Sequence, residues 1–378
     1  MKNWRSYLEA VKTDCRFYRG DRPCKFHKES GIHCQECPHY SPVNFRILII
    51  KLGAGGDILR TTVILPALKE RYPQCYIVWV TKSEYSSLFI NNNFVDEVLD
   101  FYSPEMFARV GIEEYDLVIN LDNTKESSIF AELANGKRKF GFGYRNGHIY
   151  AFNEASKGWL AMAMFDDLKK QNTKSYQDII LDICHLKPKK WELILNLTED
   201  ELSFADEFAK KHNLNLNKLI IGLNTGAGKR WPQKIWSAEN YIRLIKLLKS
   251  KYPTSWILLY GGPEEIEKNK YILKSSNTDI IDTGCTNTRR EFSSLLNLSQ
   301  IFVTGDTFAL HIAVALKKKV IALFGPTSHA EIELYDRGKK VFADLDCLCC
   351  YRESCNEKPN CMDLITPEKV LRAIEETR

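Results

Sequence analysis

The segment 301–327 constrains the fold of this chain more than any other part of the sequence. It reads IFVTGDTFALHIAVALKKKVIALFGPT: an apolar run, a Gly-Asp-Thr turn, a helical pattern, and a second apolar run ending at Gly-Pro-Thr. That order predicts a strand–turn–helix–strand unit, in which a helix connects two parallel strands. Ligands of open α/β sheets bind at the carboxyl ends of such strands, so the turn at 305–307 is a candidate site.

The residues of this turn suit a phosphate group. A helix N-terminus offers free N–H groups and the positive end of the helix dipole. Thr307 adds a hydroxyl, and His311 lies one helical turn further along, on the same face. Taken alone, the segment also allows a plainer interpretation, in which Asp306 caps the helix and His311 packs in the core.

Strands and helices alternate along two stretches of the chain. The pattern predicts an α/β fold with two doubly wound parallel-sheet domains, 44–185 and 186–345, after a leader (1–43) and before a final segment (346–378). A crevice between the two domains is the expected ligand site. The predicted strands are 45–51, 75–81, 97–101, 117–121 and 139–143, then 191–197, 219–224, 256–260, 280–282, 301–304 and 320–324.

Composition excludes several classes of protein. The 378 residues are 44% hydrophobic and 27% charged, which is ordinary for a globular protein. Apolar runs are of strand length, and the first residues lack the apolar region of a secretory signal, so a cytoplasmic protein is expected. The net charge of +5 is too small to imply nucleic acid by itself.

A carboxylate occupies the first strand-to-helix turn, Leu52-Gly53-Ala54-Gly55-Gly56-Asp57. The third glycine of a dinucleotide fingerprint is missing, and an acidic side chain there would repel a pyrophosphate. The dipole of the following helix favours an ionised Asp57, which could accept a proton from an attacking hydroxyl. A plain N-cap role is the alternative.

Two turns of the second half also carry ligand-type residues. Thr225, Gly226 and the adjacent cations Lys229 and Arg230 follow a predicted strand and form a plausible diphosphate cradle, with a solvated basic loop as the alternative. Glu264 follows Gly261-Gly262-Pro263. It could bind ribose hydroxyls, or simply favour the first turn of a helix.

The twelve cysteines are concentrated near the two ends of the chain. In a reducing compartment such clusters hold metal more often than they form disulfides. Cys34-x-x-Cys37 is a half-site for Zn²⁺ that Cys15 and Cys24 could complete, with His27, His33 and His39 as alternates. Redox thiols and an iron–sulfur cluster are the other interpretations. A second candidate set near the C-terminus is Cys347, Cys350, Cys355 and Cys361.

Four segments, in order, resemble glycosyltransferase family nine, the ADP-heptose:lipopolysaccharide heptosyltransferases. They are ILIIKLGAGGDILRTTVILPALKERYP, LNTGAGKRWPQKIWSAENYIRLI, LLYGGPEE and VTGDTFALHIAVALKKKVIALFGPT. The resemblance implies a GT-B architecture of two Rossmann-like domains, with the acceptor in the first and the nucleotide-sugar donor in the second. It implies inverting, metal-independent transfer of a heptose or related sugar from ADP-heptose to a lipopolysaccharide core or other glycan.

The resemblance also implies roles for single residues. Asp57 matches the catalytic base. Thr225 and Lys229 match donor-phosphate contacts, with Gly226 between them in the donor-binding set, and Glu264 matches a nucleoside contact. Asp306, Thr307 and His311 match the diphosphate and sugar turn. Family members commonly have glycine where this chain has Phe308, which therefore joins the donor-binding set as a residue that could change sugar preference.

Other functions remain compatible with the sequence. They are a protein-modifying heptosyltransferase, a nucleotide-sugar 2-epimerase, and a non-enzymatic zinc-knuckle protein that binds nucleic acid. For the transferase we expect a glycan or lipid-linked acceptor, a peripheral contact with the inner membrane at its cytoplasmic face, no nucleic-acid partner and no catalytic cofactor, with structural zinc or iron at the cysteines.

Overall fold

Two β-sheets, one in each half of the chain, organise the fold. The computed structural model describes residues 4–187, 189–228, 232–352 and 354–378. Within them each sheet has six strands, in the orders β3-β2-β1-β4-β5-β6 and β9-β8-β7-β10-β11-β12. Both orders set the first and fourth strands of a half side by side, which is the doubly wound arrangement with its switch point between those strands. The predicted α/β fold is confirmed.

The strands pair in parallel except at one edge of the first sheet, where β5 and β6 form an antiparallel hairpin across Asn146-Gly147. All pairs of the second sheet are parallel. The first sheet comprises β1 (Phe45–Ile50), β2 (Cys75–Thr81), β3 (Glu97–Asp100), β4 (Leu117–Asn120), β5 (Lys139–Arg145) and β6 (His148–Ala151). The second comprises β7 (Ile220–Asn224), β8 (Trp256–Tyr260), β9 (Ile281–Asp282), β10 (Ile301–Gly305), β11 (Lys319–Phe324) and β12 (Gly338–Phe342).

Helices connect the strands and flank the sheets. In the described residues they are α1 (Trp4–Ala10), α2 (Lys25–Ser30), α3 (Gly55–Thr61), α4 (Ile64–Arg71), α5 (Met106–Ile112), α6 (Lys125–Leu133), α7 (Glu154–Met164), α8 (Asp166–Gln171), α9 (Tyr176–Ile183), α10 (Glu199–Lys211), α11 (Ala238–Lys251), α12 (Ile266–Ser276), α13 (Arg289–Asn297), α14 (Phe308–Ala315) and α15 (Pro367–Thr377). No helix of this described part combines the length and apolar character that crossing a bilayer requires.

Hydrophobic cores lie on both faces of each sheet. Alternate residues of β1 belong to different clusters, Ile47 and Ile49 to one and Leu48 and Ile50 to another. This explains why the strand reads as a continuous apolar run. The first of these clusters continues into the second domain, because α3 packs directly on α14. That contact holds the carboxyl ends of the two sheets close to each other.

The structure corrects one predicted strand. Residues 191–197 form no strand, although their alternate leucines, Leu193 and Leu195, are buried. The segment crosses between the domains, and the N–H of Ile194 donates to the Thr62 hydroxyl (2.8 Å) instead of to a sheet. A period-two pattern reports burial of alternate side chains, which an extended connection achieves as well as a strand does.

Candidate functional site

A cleft of about 710 Å³ lies where the carboxyl ends of the two sheets meet. Its walls come from the loops after β1, β2, β3 and β4 in the first domain and after β10 and β11 in the second. Asp57 and Asp306 both line it. The structure therefore has the predicted crevice, and two of the predicted site residues share it.

Asp57 lies in the first turn of α3, two residues beyond the start of the helix. Ala54 is the N-cap, so the plain capping role for Asp57 is wrong. The Arg60 guanidinium donates to the Asp57 carboxylate (2.5 Å), which is 37% exposed. Burial would raise the pKa of Asp57, but Arg60 and then Lys51 outweigh it and hold that pKa well below its usual range. The carboxylate is therefore ionised at neutral pH.

A buried ion pair that the sequence analysis missed supports this turn from below. Lys51, the residue after β1, pairs with Asp122, which follows β4. Their side chains are 5% and 8% exposed, and both residues line the cleft. The pair lies at the switch point of the first sheet and fixes the loop that leads to Asp57. The sequence does contain one sign of this pair, because a lysine, Lys51, directly follows the apolar run of β1.

Glu331 is a second carboxyl group in the same cleft, also missed from the sequence. It lies in the loop after β11, and burial raises its pKa despite the nearby Arg60. Tyr351 donates to it at 3.4 Å. The pKa values of Asp57 and Glu331 are thus shifted in opposite directions, so the pH dependence of the reaction can show which of the two accepts a proton.

The turn after β10 is held by a lysine that the sequence analysis did not single out. Lys234 donates to the Asp306 carboxylate (2.6 Å), and Thr327 donates to the same oxygen (2.7 Å). Burial would raise the pKa of Asp306, but Lys234 lowers it below its usual value. Thr307, not Asp306, is the N-cap of α14, so the capping interpretation of Asp306 is wrong. Asp306 instead anchors the turn.

His311 is buried at the contact between α14 and α3. Burial lowers its pKa to about 3, with Arg60 contributing in the same direction. The imidazole is therefore neutral at physiological pH. A Cβ atom on Gly56 would overlap the His311 ring, and one on Gly55 would meet Phe308 at 3.0 Å. The paired glycines at the start of α3 thus allow the two domains to approach, and Phe308 packs at this junction.

Replacing Gly56 by alanine should lower the free energy of unfolding by about 1–3 kcal/mol, because the new methyl group would overpack the His311 ring. Urea unfolding measures the change. Gly158→Ala is the matched control, since a Cβ there meets nothing within 4 Å and the residue lies inside α7. A gain of about 0.5–1 kcal/mol is expected for the control.

The double variant Gly56→Ala/His311→Ala tests the steric explanation. Removing the ring should restore part of the stability that the added methyl group removes. An increase in stability for Gly56→Ala, like the one expected for Gly158→Ala, would contradict the explanation.

Three of the predicted donor-side residues follow strands of the second sheet: Thr225 and Gly226 come after β7, and Glu264 comes after β8. Thr225 is buried, and its hydroxyl lies 2.5 Å from the side-chain oxygen of Asn269. Gly226 approaches Glu265, and Glu264 is exposed. Lys229 lies outside the described residues, as does Arg230.

A lysine of α12, Lys268, contacts the loop that follows β7. It donates to the carbonyl oxygens of Thr225 (3.1 Å) and Trp236 (2.7 Å), and burial lowers its pKa to about 8. It therefore ties the 225 loop to the segment before α11. Lys268 lies in the first turn of α12, a few residues beyond Gly261-Gly262, where no sequence pattern distinguishes it from a solvent-exposed lysine.

The two cysteine sets each line one cavity. Cys15, Cys24, Cys34 and Cys37 line a cavity of about 260 Å³ in the leader. Cys347, Cys350, Cys355 and Cys361 line a cavity of about 30 Å³ behind Gly325. Burial, followed by the neighbouring thiols, raises the pKa of Cys361 to about 11. Among the described residues, no three His, Cys, Asp or Glu side chains converge as ligands of a single metal ion.

Two Rossmann-like domains facing each other across a cleft define the GT-B class of architecture. The family model "Glycosyltransferase family 9 (heptosyltransferase)" matches residues 105–360, more than half of the chain. The chain belongs to glycosyltransferase family 9.

Sequence and structure relatives agree with this assignment. Lipooligosaccharide heptosyltransferase 2 of Campylobacter jejuni serotype O:6 is 28% identical over 182 residues, which cover 46% of this chain and 56% of that protein. The chain thus spans little more than half the length of the first curated relatives that it matches.

Two solved structures share the fold. The family 9 glycosyl transferase of Veillonella parvula superposes with a TM-score of 0.69 at 18% identity, covering 89% of this chain and 97% of that one. The ADP-heptose lps heptosyltransferase II of E. coli gives 0.65 at 20% identity, covering 88% and 98%. At 18% and 20% sequence identity, this similarity shows a shared fold and nothing more specific.

Proposed function

We propose that the chain is an inverting glycosyltransferase that moves a heptose from ADP-heptose to a hydroxyl of a lipopolysaccharide core. The observation that carries the proposal is the position of Asp57: an ionised, partly exposed carboxylate in a cleft that it shares with the Asp306 turn of the opposite domain. The donor is supported by family membership and by the E. coli relative, which is an ADP-heptose lps heptosyltransferase.

In this proposal Asp57 accepts the proton of the acceptor hydroxyl. The hydroxyl oxygen then attacks the anomeric carbon of the heptose, and the bond from that carbon to the diphosphate breaks on the opposite face. The first N–H groups of α14, which begins at Phe308, have no partner within the helix and can stabilise the charge that develops on the leaving diphosphate. Thr225, Gly226, Lys229 and Glu264 remain the proposed contacts to the rest of the donor.

The first-domain wall of the cleft suits a glycan acceptor. Its aromatic residues include Tyr85, Tyr102, Trp159 and Tyr176, among polar groups that can bind hydroxyls. A lipid-linked glycan would bring the enzyme to the cytoplasmic face of the inner membrane, which is part of the proposal. Family membership gives no support to the nucleic-acid-binding alternative.

The direct test is to incubate the purified chain with ADP-heptose and a heptose-deficient lipopolysaccharide core. We expect ADP release together with a mass increase of one heptose on the acceptor. UDP- and GDP-sugars serve as donor controls. Release of ADP without glycosylation of the acceptor, or turnover with a different nucleotide sugar in place of ADP-heptose, would contradict the proposal.

The pH dependence of transfer should identify the base. Because Arg60 and Lys51 hold the pKa of Asp57 below its usual range, the carboxylate stays ionised as the pH falls towards about 4. We expect kcat/KM to show no acidic limb above about pH 5. An acidic limb above about pH 5 that disappears in Glu331→Gln would instead assign the base to Glu331, whose pKa is raised by burial.

A further inference from the structure

The leader, residues 4–43, folds without a hydrophobic core. None of its residues is buried, and Trp4 and Leu8 are each 65% exposed. Its regular structure amounts to α1, α2, a short 3₁₀ turn over Cys34–Glu36 and one β-bridge between Cys15 and Pro42. A segment this small needs a disulfide, a metal or another staple to hold a single conformation.

Four free thiols surround the cavity at the centre of this segment. Cys24 is the N-cap of α2, Cys34 and Cys37 bracket the 3₁₀ turn, and Cys15 lies at the bridge. All four line the same cavity, and each is partly buried. Three separate stretches of chain thus contribute cysteines to the wall of one cavity.

The size of the cavity favours a group larger than one ion. Its volume is about 260 Å³, many times the roughly 15 Å³ that one water molecule needs. A single Zn²⁺ ion draws four sulfur atoms to about 2.3 Å from itself and would leave such a space largely unfilled. Four cysteines around a larger space are the ligand set of an iron–sulfur cluster.

The charges around the cavity suit a cluster held by thiolates. The wall of the cavity carries three cations, Lys12, Arg19 and Arg22. Among the described residues that line it there is no Asp or Glu. Binding removes a proton from each thiol, so the centre becomes negatively charged, and neighbouring cations stabilise thiolates.

The histidines of the leader already have other contacts. The ring of His39 stacks on Phe26 with centroids 3.8 Å apart, and His27 Nδ1 lies 3.0 Å from the carbonyl oxygen of Ile32. The ring of His33 contacts those of His27 and Tyr7. The imidazoles also line the cavity, and the four thiols are taken as the ligand set because cysteine thiolates are the usual ligands of iron–sulfur clusters.

We propose that the leader binds an iron–sulfur cluster through Cys15, Cys24, Cys34 and Cys37. The cluster replaces the missing core and holds the leader against the first domain. Arg16 makes that attachment, pairing with Asp96 and donating to the carbonyl oxygen of Cys75 (2.8 Å). These partners lie at the amino ends of β2 and β3, opposite the cleft, so the cluster takes no part in sugar transfer and the inference does not depend on the proposed function.

The test uses the full chain, produced with iron and sulfur supplied and purified without oxygen. We expect visible charge-transfer absorption, iron and acid-labile sulfide in equal amounts (about four of each per chain for a cubane), and little zinc. Stoichiometric zinc without sulfide, or protein free of both metals, would overturn the proposal.

Paired variants then locate the cluster. Cys34→Ser/Cys37→Ser should lose iron, sulfide and absorption together, whereas the matched variant Cys347→Ser/Cys350→Ser in the C-terminal set should keep them. Retention in the leader variant, or loss confined to the C-terminal variant, would overturn the assignment. If the leader variant precipitates, the single variant Cys15→Ser is assayed for iron, sulfide and absorption in its place. The iron-to-sulfide ratio of the unaltered chain then decides whether a cluster is present.

Discussion

Asp57→Asn should lower kcat for heptose transfer by about 10²–10⁴-fold and leave the affinity for ADP nearly unchanged. Asparagine keeps the shape of the side chain but cannot accept the proton of the acceptor hydroxyl. Arg60, whose side chain is 11% exposed, loses its ionised partner in this variant, so urea unfolding must show that the variant is folded under the assay conditions. Steady-state ADP release gives kcat, and calorimetry with ADP gives the donor-side affinity.

The matched control for this prediction is Asp116→Asn. Asp116 immediately precedes β4, at the amino edge of the same sheet, and pairs with Lys137. Its replacement removes one carboxylate from the same domain without touching the cleft, so kcat should change by less than about twofold. Turnover of Asp57→Asn within a few-fold of the unaltered chain would reject Asp57 as the base.

The position of the cleft followed from the sequence, because parallel strands place all their carboxyl ends at one edge. The turns after β1 and β10 were therefore predictable as site-forming, and the structure brings Asp57 and Asp306 into one cleft. The β5–β6 hairpin was also predictable in principle, since Asn-Gly between strand-like residues is a strong hairpin signal. The predicted strands of the first domain nevertheless end at residue 143 and do not include β6.

The ion pairs and the second carboxyl of the cleft were not predictable in the same way. Lys51 and Asp122 are 71 positions apart, and Lys234 and Asp306 are 72 apart. No local pattern relates the members of such pairs, because their contact depends on the order of strands in the sheet. Glu331 is similar, since burial in the assembled cleft, and not a neighbouring residue in the sequence, sets its pKa.

Lys234→Met should lower the free energy of unfolding by about 3–5 kcal/mol, because it leaves a buried carboxylate without its cation. The side chains of Lys234 and Asp306 are 12% and 16% exposed. Lys251→Met is the matched control: its partner is Glu375, the two side chains are 58% and 35% exposed, and a loss of at most about 1 kcal/mol is expected. Urea unfolding at neutral pH compares the two variants.

The double variant Lys234→Met/Asp306→Asn and the pH dependence separate lost charge pairing from lost packing. In the unaltered chain Lys234 lowers the pKa of Asp306, so the stability from this pair is present above the unfolded pKa of about 3.9 and is lost as the pH falls through the folded value. In Lys234→Met the unpaired Asp306 is penalised while it is ionised. The difference from the unaltered chain should therefore be largest near neutral pH and shrink below about pH 4, and the double variant should recover part of the loss. A deficit that stays constant with pH, or one no larger than that of Lys251→Met, would show that the pair does not hold the Asp306 turn in place.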